Sequence, residues 1–501
     1  MFVVFAVPVQ AKSVTQDEAL TVAKNWVTLV IQKEGKWGSS ETAQVKEIRE
    51  FKRGQRVIGY FCSVYPRGFI VISLRKELGA VKAYSETSNL DPEFEEGMAG
   101  LIKEGMEGSL DAVEKKPSPV KSDQKDKTDT LEIDTQPSWD ALTSNVGTFE
   151  ADLDSGVITM NYQGGDPYLL TSSWDQGEPY NRLCPEPWLP GCGNQFCSVG
   201  CTPLAGAQIM RYWAWPPDYD WVNMADRVFI NSPQAQIDAV SQLCADVGSE
   251  AGATYCIVGF GCQTFCYLAN NAAGGDLLDA FEDHFRYNDE ADEEVRGTES
   301  PEEWFNYFKE QLNKNRPVPY ELGAGFHVIV CDGWKEVGEM PDRYYHMNYG
   351  WGEGCVVVDG ETYCDTNAWY LLDDLPLRGV GEHIIIKLHP GPSLGTWLSG
   401  DPPDEDDPVP YNVPSFPYRY FDQDATGRNV TFAAGHNLQF LPGVTVKGTS
   451  PEGDYIQFLG TPADNTRLFS IKGTSTGGSV AGTVIYDGEI RLYNTGSIRF
   501  H

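Results

Sequence analysis

No run of apolar residues in this 501-residue chain reaches the roughly 18–20 needed to cross a bilayer as a helix, so no transmembrane segment is expected. Histidine is scarce. There are seven, and no two stand at the spacing that puts a pair of ligands on one helix face. The twelve cysteines include no Cys-x-x-Cys pair. These two absences weigh against a zinc site, and no metal or cofactor is expected. Basic residues are also few, with 38 Lys+Arg against 72 Asp+Glu and a net charge of −34. A chain of that balance lacks the basic face a nucleic-acid partner requires. Disorder is excluded from the other side, because 13 Trp, 24 Tyr and 23 Phe supply ample core material.

What is present is unevenly placed. Residues 1–150 carry 19 basic and 23 acidic residues, a net of −4, which leaves −30 for the remainder. Eleven of the cysteines lie between Cys184 and Cys364, a clustering that suggests disulfides in one secreted domain. Cys197 is expected to pair with Cys184 or Cys192. Residues 1–12 open with an apolar stretch ending in Val9-Gln10-Ala11 and read as the remnant of a signal peptide. The expected location is secreted or at the cell surface.

Residues 13–114 read as one domain. Thr15 and Glu18 form a capping-box pattern, and Ala19, Val22, Ala23, Trp26, Val27 and Val30 repeat at helical spacing. Four strand-like runs follow (VKEIREF, RVIGYFCSVY, GFIVISL, AVKAYSE), divided by turns at Arg53-Gly54 and Pro66-Arg67-Gly68. A helix on a small antiparallel sheet is predicted. Residues 115–159 open with a charged stretch poor in aliphatics and read as a linker, exposed to proteases. Residues 160–390 form the main globular unit, 391–416 an acidic Pro-rich linker, and 417–501 a small all-β domain of short alternating runs. The fold class is α+β.

Three segments could carry chemistry. In QFCSVGCTPLAGAQIM, Cys201 follows a small, flexible stretch and opens a helical run with Pro203 in its first turn, while Ala205, Gly206 and Ala207 permit close helix packing. A thiol at a helix start feels the positive end of the macrodipole, which raises its thiolate fraction. In GFHVIVCDGW, His327 opens a β-branched run that ends in a predicted Asp332-Gly333 turn. A histidine there is placed to act as the general base a cysteine nucleophile needs. In YHMNYGWG, Asn348 can orient an imidazole and Trp351 can shield that bond from water, while His346 reads as structural.

Together these segments resemble the streptopain family of papain-like cysteine peptidases. Family members show Gly-Cys with Ala-Gln-Ile-Met beginning six residues after the cysteine, as Cys201 stands to Ala207-Gln208-Ile209-Met210. They show His with Asp-Gly five residues on, matched by His327 and Asp332-Gly333, and then His-x-Asn-aromatic-Gly-Trp-Gly, matched from His346 to Gly352. They also carry Trp-x-Gln-x-x-Pro-Tyr-Asn, here Trp174 to Asn181. The chain departs from the family at Thr202-Pro203-Leu204, Phe326 and Tyr349. The resemblance implies a papain-like peptidase domain at 160–390 acting on proteins or peptides, with 13–114 as its own inhibitory prodomain. It implies activation cleavage within 115–159. By the same resemblance, Cys201 is the nucleophile, His327 the base, Asn348 its orienter and Gln176 an oxyanion donor beside the Cys201 N–H. Three rival readings stand beside this one: a catalytically silent surface-binding protein on the same fold, a Cys-His acyltransferase, and an adhesin working through cell-surface contact of residues 417–501.

Overall fold

A computed structural model describes residues 13–114 and 136–390, apart from 96, 163–166, 188–195, 217–218, 258–262, 273, 324–326, 339–340, 353–355, 359–360, 364–366 and 372–380. Beyond residue 417 it describes the backbone of strands alone. The predicted signal remnant (1–12), the charged part of the first linker (115–135), the acidic linker (391–416) and Phe326 fall outside the described residues.

In chain order the first part holds α1 (Gln16–Glu34), β1 (Gln44–Arg53), β2 (Arg56–Tyr65), β3 (Phe69–Ser73), β4 (Val81–Ser85), α2 (Gly97–Glu114), α3 (Gln136–Leu142), α4 (Val146–Asp154) and β5 (Met160–Tyr162). Next come α5 (Cys201–Trp213), α6 (Gln234–Glu250), β6 (Thr254–Ile257), β7 (Gln263–Phe265), α7 (Leu277–Asp279), β8 (Asp292–Val295) and α8 (Pro301–Asn313). Then follow β9 (Val318–Leu322), β10 (His327–Val337), β11 (Asp342–Asn348), β12 (Val356–Val358), β13 (Glu361–Tyr363), β14 (Asn367–Leu371) and β15 (His383–Ile386). The class is α+β. Two compact units emerge. One joins the chain up to 161 with 335–348 and 352–378, and the other joins 162–334 with 349–351 and the chain from 379.

In the first unit α1 begins at the predicted capping box. The Glu18 N–H donates to Thr15 Oγ1 at 3.2 Å, and the Thr15 N–H donates to the Glu18 carboxylate at 2.9 Å. The six predicted apolar positions are all buried, facing antiparallel strands β1-β2-β3-β4. Burying each large apolar side chain contributes about 1.5–3 kcal/mol, which is what holds an isolated helix to a sheet. The sheet does not stop at β4. It continues through β14, with Trp369 opposite Tyr84 and Tyr370 opposite Ala83, and then through β11.

Two helical features escaped the sequence reading. Helix α2 buries Met98, Ala99, Ile102, Met106 and Leu110, but its glycines hide the period. The predicted linker also holds two helices, α3 and α4, which bury Trp139, Leu142, Phe149 and Leu153. The Trp139 indole N–H donates to the Leu78 carbonyl at 2.8 Å. A few large apolar anchors suffice to order a stretch whose average composition is polar.

In the second unit α5 is the central helix, with ten of its residues buried. Gly206 makes this possible. A Cβ there would stand 2.6 Å from Leu277 Cδ1 and 3.1 Å from Val247 Cγ1. Antiparallel β10-β9-β15-β8 supplies the sheet, with His327 opposite Leu322. At the chain's end three parallel ladders form. Each turn of three strands pairs with the turn before, as in Val430↔Ile456↔Ile490 and Phe432↔Phe458↔Leu492. The last part of the chain is thus all-β, with the strand connectivity of a solenoid.

Candidate active site

Cys201 is the first residue of α5. Gly200 before it has φ 92°, a left-handed value that glycine adopts without strain, and Thr264 Cγ2 lies where a Cβ would stand at 3.0 Å. The chain therefore turns sharply into the helix and leaves the thiol partly exposed at the end where N–H groups are unpaired. Burial raises the Cys201 pKa, but hydrogen bonding to His327, the His327 charge and the Val328 N–H lower it by more, so the thiol lies below its ordinary value. In the other described free cysteines burial outweighs any hydrogen bond. Burial pushes Cys62 and Cys184 up to about 12, and moves Cys244, Cys266 and Cys331 upward too.

His327 opens β10 and is buried. Its Nε2 lies 2.9 Å from the Tyr349 carbonyl. A carbonyl only accepts, so Nε2 donates, and in the neutral ring Nδ1 keeps the lone pair for the thiol. The ring also stacks on Trp351, centroids 4.6 Å apart. Trp351 in turn forms a β-bridge with Asp175. Next to that bridge, the Gln176 carbonyl accepts from the Val199 N–H at 2.9 Å, two residues before Cys201. The segment is anchored behind by Trp174, whose indole donates to the Ala225 carbonyl at 3.0 Å, and by Asn181, whose amide donates to the Cys197 carbonyl at 3.2 Å. Cys201, His327, Trp351 and Gln176 thus come from four separate stretches of one unit. Asn348 is buried at the end of β11, immediately before Tyr349 in the chain.

Residues 174–355 match the model of the Peptidase C10 family, and residues 11–105 match that of the Spi protease inhibitor. The chain's central segment is thus similar to the Peptidase C10 family. Among curated relatives, the thiol protease/hemagglutinin PrtT of Porphyromonas gingivalis is 25% identical over 374 residues, covering 68% of this chain and 38% of that protein. Streptopain of Streptococcus pyogenes serotype M1 is 24% identical over 334 residues, covering 58% of this chain and 71% of that protein. The chain therefore spans well under half the length of the first relative. A solved fragment of Prevotella intermedia prointerpain A aligns with a TM-score of 0.45 at 18% identity, covering 69% of this chain and 99% of that one.

Within the C10 segment two expectations need correction. Asp332-Gly333 is no turn. Strand β10 runs through it to Val337, and the buried Asp332 carboxylate accepts the Leu170 N–H at 2.9 Å. A long-range hydrogen bond overrides the local turn propensity. Cys197 pairs with neither predicted partner. It is bonded to Cys256, 59 residues away, while Cys184 is free and lies in the core. The bond ties the β6–β7 hairpin to the loop before Cys201, and so does Thr264, whose hydroxyl donates to the Ser198 carbonyl at 2.6 Å.

One positioning residue was missed. Buried Gln208, inside the Ala-Gln-Ile-Met motif, accepts from the Ser172 hydroxyl at 3.0 Å and so holds the stretch leading to Trp174. A polar residue in an otherwise apolar helical face was the available signal. His346 packs on Trp369, centroids 5.0 Å apart, in keeping with a structural role. Thr202, in a triplet that departs from the family pattern, donates to the Cys266 carbonyl at 2.9 Å.

Proposed function

We propose that this chain is a secreted cysteine endopeptidase made as a zymogen. The observation that carries the reading is a helix-start thiol whose pKa is lowered by a paired histidine while five other described thiols are pushed up. The Cys201 thiolate attacks the scissile carbonyl, its proton having passed to His327. The Gln176 amide and the Cys201 N–H stabilise the oxyanion. As the C–N bond breaks, His327 gives its proton to the leaving amine and a thioester remains. Water then attacks the thioester, His327 takes the water proton, and the S–C bond breaks to release the acid. Asn348 and the Tyr349 carbonyl orient the imidazole, and Trp351 keeps water from that bond. The match of residues 11–105 to an inhibitor family supports 13–114 as the inhibitory prodomain. Activation cuts are expected between Glu114 and residue 159, and residues 417–501 are the candidate for cell-surface contact.

The test is casein cleavage by the processed chain. Cys201→Ala and Cys201→Ser should both abolish it without loss of fold. Appreciable turnover by either overturns the assignment, and amine incorporation without peptide cleavage points to the acyltransferase reading.

A further inference from the structure

Lys335 stands in β10 with no exposed surface. Its Nζ lies 2.5 Å from Glu34 Oε1 at the end of α1, 3.3 Å from Glu86 Oε1 just past β4, and 2.7 Å from the Tyr84 hydroxyl. It also sits 3.8 Å from the centroid of the Trp369 ring. Both carboxylates are nearly inaccessible, with side-chain exposures of 4% and 5%. Lys335 belongs to the segment matched by the peptidase family, whereas Glu34, Tyr84 and Glu86 belong to the segment matched by the inhibitor family. A buried ammonium is unfavourable unless it is paired, so its partners are not interchangeable with surface charges.

The charges do not balance. One ammonium and two ionised carboxylates would leave a net negative charge in a dry site, and a single bound proton removes it. Lys335 and Glu86 are the charges that act on Glu34. Tyr84 is held neutral by burial, Tyr344 spends its hydroxyl on the Val81 carbonyl, and Lys82 and His346 lie further along β4 and β11.

We propose that Lys335 is the point at which the peptidase segment grips its own prodomain, and that docking takes up one proton, so the grip loosens as pH rises. This rests on reading 13–114 as the prodomain. Burial pushes the Glu34 carboxyl up to about 8, with the Glu86 charge adding to it and Lys335 opposing it. Released into water, the same carboxyl returns to its ordinary value of 4.5. The docked state therefore keeps a proton that the released state gives up between those values. The linked stabilisation is fully present below the lower value and is lost as pH climbs through the upper one.

The experiment uses the full chain carrying Cys201→Ala and a recognition sequence for a site-specific protease inserted within residues 115–135. After cutting, the fraction of N-terminal fragment still held is followed by gel filtration at pH 5.5, 6.5, 7.5 and 8.5. The dissociation constant should rise with pH, approaching about tenfold per unit inside the window. Glu34→Gln, an isosteric change, should flatten that slope. Lys335→Met should weaken retention roughly a hundredfold at every pH. An unchanged slope in Glu34→Gln, or wild-type retention in folded Lys335→Met, overturns the proposal. Should Lys335→Met fail to fold, the slope in Glu34→Gln decides alone. The Cys201→Ala background makes the readout independent of catalysis, so a wrong peptidase reading shows only in the casein assay.

Discussion

The planes of His327 and Trp351 lie 29° apart with their centres at 4.6 Å, so the indole covers one face of the imidazole whose edge serves Cys201. An aromatic face attracts a cation, and the attraction grows when water is kept away. The indole thus favours the imidazolium that forms when the thiol gives up its proton. Trp351→Ala should lower kcat by about tenfold, the worth of roughly 1–2 kcal/mol at a shielded site. Trp351→Phe should retain most of that rate. An undiminished kcat in Trp351→Ala would leave the indole a packing role alone.

Thiol labelling separates Cys201 from its neighbours. Alkylation by iodoacetamide follows the thiolate, so Cys201 should react fastest of the six described free cysteines. Its labelling should persist at pH values where an ordinary thiol has slowed. His327→Ala removes the hydrogen bond and charge that lower the pKa, so the labelling profile should move to higher pH. Peptide mapping of the alkylated chain reads both outcomes.

Gln176 is held at its carbonyl by the Val199 N–H, so a change of its side chain leaves that main-chain anchor in place. Loss of an oxyanion donor typically costs about 100–1,000-fold in turnover. Gln176→Ala should fall in that range in kcat with KM nearly unchanged. A rise in KM alone would show that the residue only positions substrate.

Asn348→Ala tests how the imidazole is oriented. The Tyr349 carbonyl already accepts from Nε2, and a side-chain substitution leaves that carbonyl in place. The proposed amide contact, if it is worth the about 1 kcal/mol of a neutral hydrogen bond, sets the expected drop in kcat/KM at about fivefold to tenfold. A loss of a thousandfold or more would show that the amide, and not the carbonyl, carries the orientation.

The disulfide gives the fifth prediction. Closing a loop of 59 residues typically stabilises a fold by about 2–4 kcal/mol. Cys197→Ala with Cys256→Ala should lower Tm by several degrees in calorimetry. Cys201 needs a reduced thiol, whereas this bond needs an oxidised one. Activity measured against dithiothreitol concentration should therefore rise and then fall in the wild type, and the fall should vanish in the double variant.

Much of this was legible in the sequence where local pattern and tertiary environment agree. The periodic Ala19-to-Val30 stripe gave α1, and the order of four motifs gave Gln176, Cys201, His327 and Trp351, which the fold brings to one unit. Legibility failed where distant residues decide. Asp332-Gly333 looks like a turn until the Leu170 N–H claims the carboxylate. Cys256 carries no sign that it faces Cys197. The Tyr349 carbonyl is main chain and has no letter of its own. Helix α2 hid behind its glycines, and α3 and α4 behind the charged residues before them.

The pairing of β4 with β14 has a colloidal consequence. Among the described residues two pairs, Trp369 with Tyr84 and Tyr370 with Ala83, join the strands. When residues 13–114 leave, β14 becomes an open sheet edge, the kind of surface on which identical chains template one another. The defence against such fibre-like stacking is then long-range repulsion. Residues 151–501 carry a net charge of −30, far more than the −4 of the part before them. Processed molecules should therefore stay dispersed in dilute buffer and stick to one another as salt shortens the reach of that charge.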